Sequence, residues 1–213
     1  MRALALVVAL GIAACAPSRA ARAQAEGPAP EGLPPANYGS LTQNDLALRV
    51  RNDEIDVRFI PLDERVTRLL ARDSYESLRA LLISRRAAID SVARPRGISD
   101  PGLALVTFFG QRANARFDPQ TLSLLIRNRV YRPLGIVPFS ARFTSQQLDV
   151  REQVSAIYVF EQELPVTDTF SFSYNELTSD EWLGKQRQLD RERARVAARA
   201  RGDRPDSSTA PPR

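Results

Sequence analysis

The chain has 213 residues, 43% of them hydrophobic and 26% charged, a globular rather than a disordered composition. It contains no histidine and a single cysteine, Cys15, which removes Ser-His-Asp and Cys-His nucleophile systems, His-ligated zinc and intrachain disulfides. The net charge of +5 is carried entirely by residues 185–213, so the basic character belongs to the C-terminal segment and not to the body of the fold.

The N-terminus reads Met1-Arg2 and then an apolar run from Ala3 to Ala14. That is the layout of a secretory signal, with an apolar core too short for a stable membrane span. The run ends in Ile12-Ala13-Ala14-Cys15, which resembles the lipobox of bacterial lipoprotein signals. The resemblance covers residues 1–15 only. It implies removal of residues 1–14, a diacylglycerol on the Cys15 thiol and, usually, acylation of the new amino terminus. Ala16 follows the cysteine, and the lack of aspartate there resembles lipoproteins passed on to the outer membrane. The alternative is a soluble periplasmic protein cut at Ala21-Arg22-Ala23 or Ala23-Gln24-Ala25. Both sites lie well past the apolar run, with Arg19 and Arg22 between, so the lipid anchor is the favoured reading. Residues 15–37, rich in proline and alanine without apolar periodicity, then form a tether. Extended, it would reach about 70 Å.

Residues 38–178 read as one β-rich globular domain. Leu46, Leu48 and Val50 alternate with Ala47, Arg49 and Arg51, and Ile55, Val57 and Phe59 with Asp56 and Arg58, with a two-residue turn expected at Asn52-Asp53. Two helices follow, near residues 63–71 and 74–93. The second has an apolar stripe of Leu78, Leu81, Leu82, Ile89 and Val92, and Asp73 with Glu76 is placed for a capping box. Arg85-Arg86 reads as a solvated helix face rather than an anion site. From Gly102 onward the pattern is strand: Leu103 to Phe109, then alternation at Leu122, Leu124 and Ile126, at Val154 to Phe160, and at Phe170, Phe172 and Tyr174. The aromatic row Tyr158, Phe160, Phe170, Phe172 and Tyr174 reads as the inner face of a sheet. The expected fold class is therefore α+β, mainly antiparallel β, sandwich-like or a partly closed barrel, with an inserted helix pair and a C-terminal charged helix. An open sheet with helices on one side is the alternative.

Ser179 is the expected cap of a last, basic helix over residues 179–201, and residues 202–213 read as a disordered tail. Trp182 with Leu183 is expected to dock the first turn and leave the arginine-rich remainder in solvent. Lys185, Arg187, Arg191, Arg195 and Arg199 are then the candidate anion-binding residues. No catalytic residue, metal ligand or cofactor site is assigned. The carboxylates Asp53, Glu54, Asp56, Asp63 and Glu64 lack a calcium-loop pattern and read as surface turns. The expected function is a lipid-anchored, non-enzymatic binding or scaffolding domain of the cell envelope. Its partners are the membrane, through the lipid, and another envelope protein or an anionic envelope polymer, with no nucleic acid. The alternative is an envelope hydrolase acting on glycans through paired carboxylates.

Overall fold

A computed structural model describes residues 32–203; Cys15 and the signal and tether residues up to 31, like the tail beyond 203, lie outside the described residues. Leu48–Arg51 (β1) and Ile55–Pro61 (β2) form the expected antiparallel hairpin. Its turn is displaced by one residue. A turn at Asn52-Asp53 would set Arg49 opposite Asp56. Instead Asn52 Oδ1 accepts the backbone N–H groups of Glu54 and Ile55 at 2.9 and 2.8 Å, an Asx turn that moves the bend to Asp53-Glu54. Arg49 is thereby paired with Arg58 and Arg51 with Asp56.

Gly102–Gly110 (β3), Ala115–Arg116 (β4), Leu122–Ile126 (β5), Arg129–Tyr131 (β6), Gly135–Pro138 (β7), Gln147–Leu148 (β8), Gln153–Phe160 (β9), Ser171–Tyr174 (β10) and Leu177–Ser179 (β11) complete the strands. They build a five-stranded sheet β1-β2-β3-β9-β7, a four-stranded sheet β11-β10-β5-β6 and a small β4-β8 pair, all antiparallel. The two larger sheets face each other as a sandwich that does not close into a barrel. Between them lie Phe59, stacked on Phe172 at 5.0 Å, and Phe108, edge-on to Tyr174 at 5.5 Å. All five residues of the aromatic row are buried, as their period of two requires when one sheet face is dry.

Among the described residues four helices flank the sheets: Gln43–Leu46 (α1), Glu64–Thr67 (α2), Arg72–Ala93 (α3) and Trp182–Gly202 (α4). Asp63 caps α2, its carboxylate accepting the Arg65 N–H at 2.8 Å. The capping box at Asp73 and Glu76 does not form. The α3 helix begins two residues earlier than that box requires, with Ala71 in the cap position, and Glu76 pairs with Arg72 instead. The predicted apolar stripe is buried or half-buried, and α3 lies on the outer face of the five-stranded sheet beside β7 and β9. Val92 touches Gly135 so closely that a Cβ there would lie 2.6 Å from Val92 Cγ1.

The last helix departs most from expectation. Ser179 belongs to β11 and does not cap α4; Glu181 stands in that position. Trp182 is buried, against Phe170 at 5.0 Å, but Leu183 is exposed. Docking is not confined to the first turn: Leu189, Glu192 and Val196 are also buried. Trp182, Leu189 and Val196 recur at sevens, which on a helix is one continuous side. This stripe is too thin for a coiled-coil seam yet sufficient to lay the helix on a preformed domain.

Candidate functional site

The five candidate anion-binding residues lie on α4, and the docking of that helix divides them. Its partner along most of its length is the segment entering the domain, which runs antiparallel to it. Lys185 Nζ donates to the Asn44 carbonyl at 3.4 Å, and Gln188 Nε2 to Asp45 Oδ1 at 2.9 Å. The Ser40 N–H and hydroxyl both donate to Glu192 Oε1, at 2.9 and 2.8 Å. Arg199 Nη1 donates to the same oxygen at 2.8 Å and to the Tyr38 carbonyl at 2.5 Å. Tyr38 closes the row with a hydroxyl hydrogen bond of 3.1 Å to Asp203. Lys185 and Arg199 are therefore committed to holding the N-terminal segment against the helix.

Glu192 is 1% exposed. Burial alone would raise its pKa, but the hydrogen bonds from Arg199 and Ser40, with the Arg199 charge, outweigh it and hold the carboxyl below the ordinary value. Asp45 is held low in the same way, its burial outweighed by hydrogen bonds from Thr42 and Gln188 and the charge of Lys185. The sequence reading missed this clamp, because nothing in the spacing of Ser40 and Glu192, which are 152 positions apart, links them before the chain is folded.

Arg187, Arg191 and Arg195 follow one another at intervals of four and remain exposed, one ridge on the side of α4 away from the sheets. Arg191 reaches back to the Arg187 carbonyl at 3.2 Å, and Arg195 stands 3.6 Å from Glu192. Arg201 is exposed at the end of the helix. The ridge is a row of exposed guanidinium groups with donors left over from these contacts, suited to the oxygens of an anionic surface.

Elsewhere, Arg85 sits over the Phe139 ring at 5.2 Å and Arg86 pairs with Asp90 at 2.9 Å, both on the α3 surface. Asp53 and Glu54 form the β1–β2 turn, and Asp63 is bound to Arg65. Among the described residues no group of three or more acidic or cysteine side chains is placed to hold a metal ion, and no helix is long and apolar enough to cross a membrane. Shallow depressions occur beside the β4-β8 pair, about 310 Å³ between Arg142, Gln147 and Asp149, and at the end of β3, about 440 Å³ between Arg49, Asp56, Phe109 and Arg151. No protein family, curated protein or solved structure matches the chain.

Proposed function

We propose that this chain is a lipid-anchored, extracytoplasmic protein of the bacterial cell envelope that works by binding, with the arginine ridge of α4 resting on an anionic surface. The lipobox-like Ile12-Ala13-Ala14-Cys15 supports the anchor. The observation that carries the surface reading is the antiparallel clamp between residues 38–45 and α4. Through it, the segment leading back to Cys15 enters the domain beside Arg199 and Asp203. A tether held at that point brings the arginine-rich end of α4 toward whatever membrane holds the lipid. Two or three acyl chains would give stable attachment, and each nearby arginine would add about 1 kcal/mol at an anionic surface.

Asp45 and Glu192 are both held low, the reverse of the proton donor a glycosidase needs, so neither is a candidate for that role.

Cys15→Ser should move the protein from the membrane to the soluble fraction, and intact mass of the wild-type chain should show acylation at Cys15. A mature chain that begins at Gln24 or Glu26 and carries no lipid would overturn the anchor. The ridge is tested separately with the unlipidated Cys15→Ser chain. Its co-sedimentation with anionic vesicles should be strong at low salt and weak near about 0.5 M salt. It should be much reduced in an Arg187→Gln, Arg191→Gln variant, whose substitutions leave the buried Glu192 and its ion pairs intact.

A further inference from the structure

The outer face of the five-stranded sheet is only half covered. The α3 helix lies over the rows that contain Gly135, Val137, Ile157, Val159 and Leu105. Beyond its edge two rows have no covering element among the described residues. One runs Ser155, Thr107, Arg58, Arg49 across β9, β3, β2 and β1; the next runs Gln153, Phe109, Asp56, Arg51. At about 4.8 Å between strands, each row is roughly 14 Å long.

The first row contains a local conflict. Arg49 and Arg58 are directly opposite each other, an arrangement of like charges that destabilises a sheet. Most arginines of the domain that lie near a carboxylate are paired with it, as in Arg65–Asp63 and Arg142–Glu152. Among the described residues Arg58 forms no such ion pair, although the Asp56 charge acts on it. Its Nε is buried without a hydrogen bond, and Asp56 Oδ1 on the same strand is buried and equally unsatisfied. Burial, and then the Arg49 charge, lower the Arg58 pKa against the pull of Asp56. A half-buried guanidinium facing another, with an unfilled donor, costs stability that the Asp56 charge does not make up. An oxyanion between the two would relieve the like-charge opposition.

The neighbours extend the match beyond a bare ion. The Thr107 and Ser155 hydroxyls share a hydrogen bond of 2.8 Å next to Arg58, and can also exchange hydrogen bonds with a hydroxylated ligand. Phe109 offers a half-exposed ring in the adjoining row, and the depression of about 440 Å³ at its end adds Gln111 and Arg151. A flat strip of guanidinium, hydroxyl, amide and aromatic groups suits a sugar ring that carries an acid. We propose that this half-face binds an acidic saccharide, its phosphate or carboxylate seated between Arg49 and Arg58. The proposal is independent of the lipid anchor and of the α4 ridge.

The test uses the full chain in detergent, titrated at low salt with glucose 6-phosphate, glucuronate, glucose and inorganic phosphate, read by calorimetry and by thermal melting. At least one of the two acidic sugars should bind saturably and raise the melting temperature, and the response to each tells phosphate from carboxylate. Glucose should not bind, and inorganic phosphate should bind at least fivefold more weakly than the preferred sugar. Arg58→Gln and Arg49→Gln should each weaken binding tenfold or more, whereas the α4 ridge variant should bind as the parent does. Without ligand, both sheet variants should melt at or above the temperature of the parent, because each removes the like-charge opposition. The idea is overturned if neither acidic sugar binds, if the Arg49 and Arg58 variants bind as well as the parent, or if both variants melt lower without ligand, which would make the pair structural. Equal binding of phosphate and the preferred sugar overturns the saccharide assignment.

Discussion

At the scale of single residues, the decisive quantity is what a side chain meets after the sheets have stacked. Phe172 is fully buried and stacked on Phe59, so Phe172→Ala should cost about 3–5 kcal/mol in denaturant melts. Glu192 works differently, since its value lies in ionised hydrogen bonds to Ser40 and Arg199. Glu192→Gln should cost about 1–3 kcal/mol. Because the folded pKa lies below the ordinary value of 4.5, the unfolded chain takes up the proton first as pH falls. The stabilisation is therefore complete above the unfolded pKa and is lost as pH drops through the folded one. Chemical denaturation from pH 7 down to about 3 should show an acid loss that is smaller in Glu192→Gln. Arg127 and Asn128 form the β5–β6 turn with φ of 47° and 67°, a two-residue loop that favours Asn-Gly. Asn adopts that region more readily than Arg, while the exposed Arg127–Asp168 pair contributes little. Arg127→Asn should leave the melting temperature unchanged or raise it by a few degrees.

At the scale of elements, α4 is both a charged surface and part of the core. A chain ending at Gly184 would keep Trp182 but lose Leu189, Val196 and the Glu192 clamp, all of them buried. Loss of the two aliphatic side chains alone corresponds to about 3–6 kcal/mol. The truncated chain should therefore show a much lower melting temperature and exposed apolar surface, detected by dye binding. If it melts like the full chain, α4 is an appendage, and its inner stripe does not stabilise the domain. The α3 helix supports its sheet more simply, by covering Ile157, Val159 and Val137 on a face that would otherwise be wet.

At the scale of the whole molecule, the clamp joins the entering and leaving segments, residues 38–45 and α4, on one sandwich. The domain should consequently unfold in a single transition, with calorimetric and van't Hoff enthalpies equal and no effect of a chelator. A separate early transition would show that α4 and its N-terminal partner detach before the sheets. In that case the ridge of Arg187, Arg191 and Arg195 would not be held at a fixed position relative to the tether.

Period and turn chemistry in the sequence were enough to determine β3, β5, β9 and β10, the β1–β2 hairpin, the α3 helix and the inward row of aromatics, but not the short strands β4, β6, β7 and β8. Each depends on interactions between near neighbours and on which face must be dry. The lipobox-like motif at Cys15 is local in the same sense. The tertiary structure alone decided three things. An Asx bond at Asn52 moved the hairpin turn by one residue and set Arg49 against Arg58 rather than Asp56. The buried side of α4 was hidden because so thin an apolar stripe has meaning only once a groove exists to receive it. The open half of the sheet face follows from where α3 comes to rest. Pairings such as Ser40 with Glu192, and rows that combine β1, β2, β3 and β9, join residues far apart in the chain, and no periodicity within one segment encodes them.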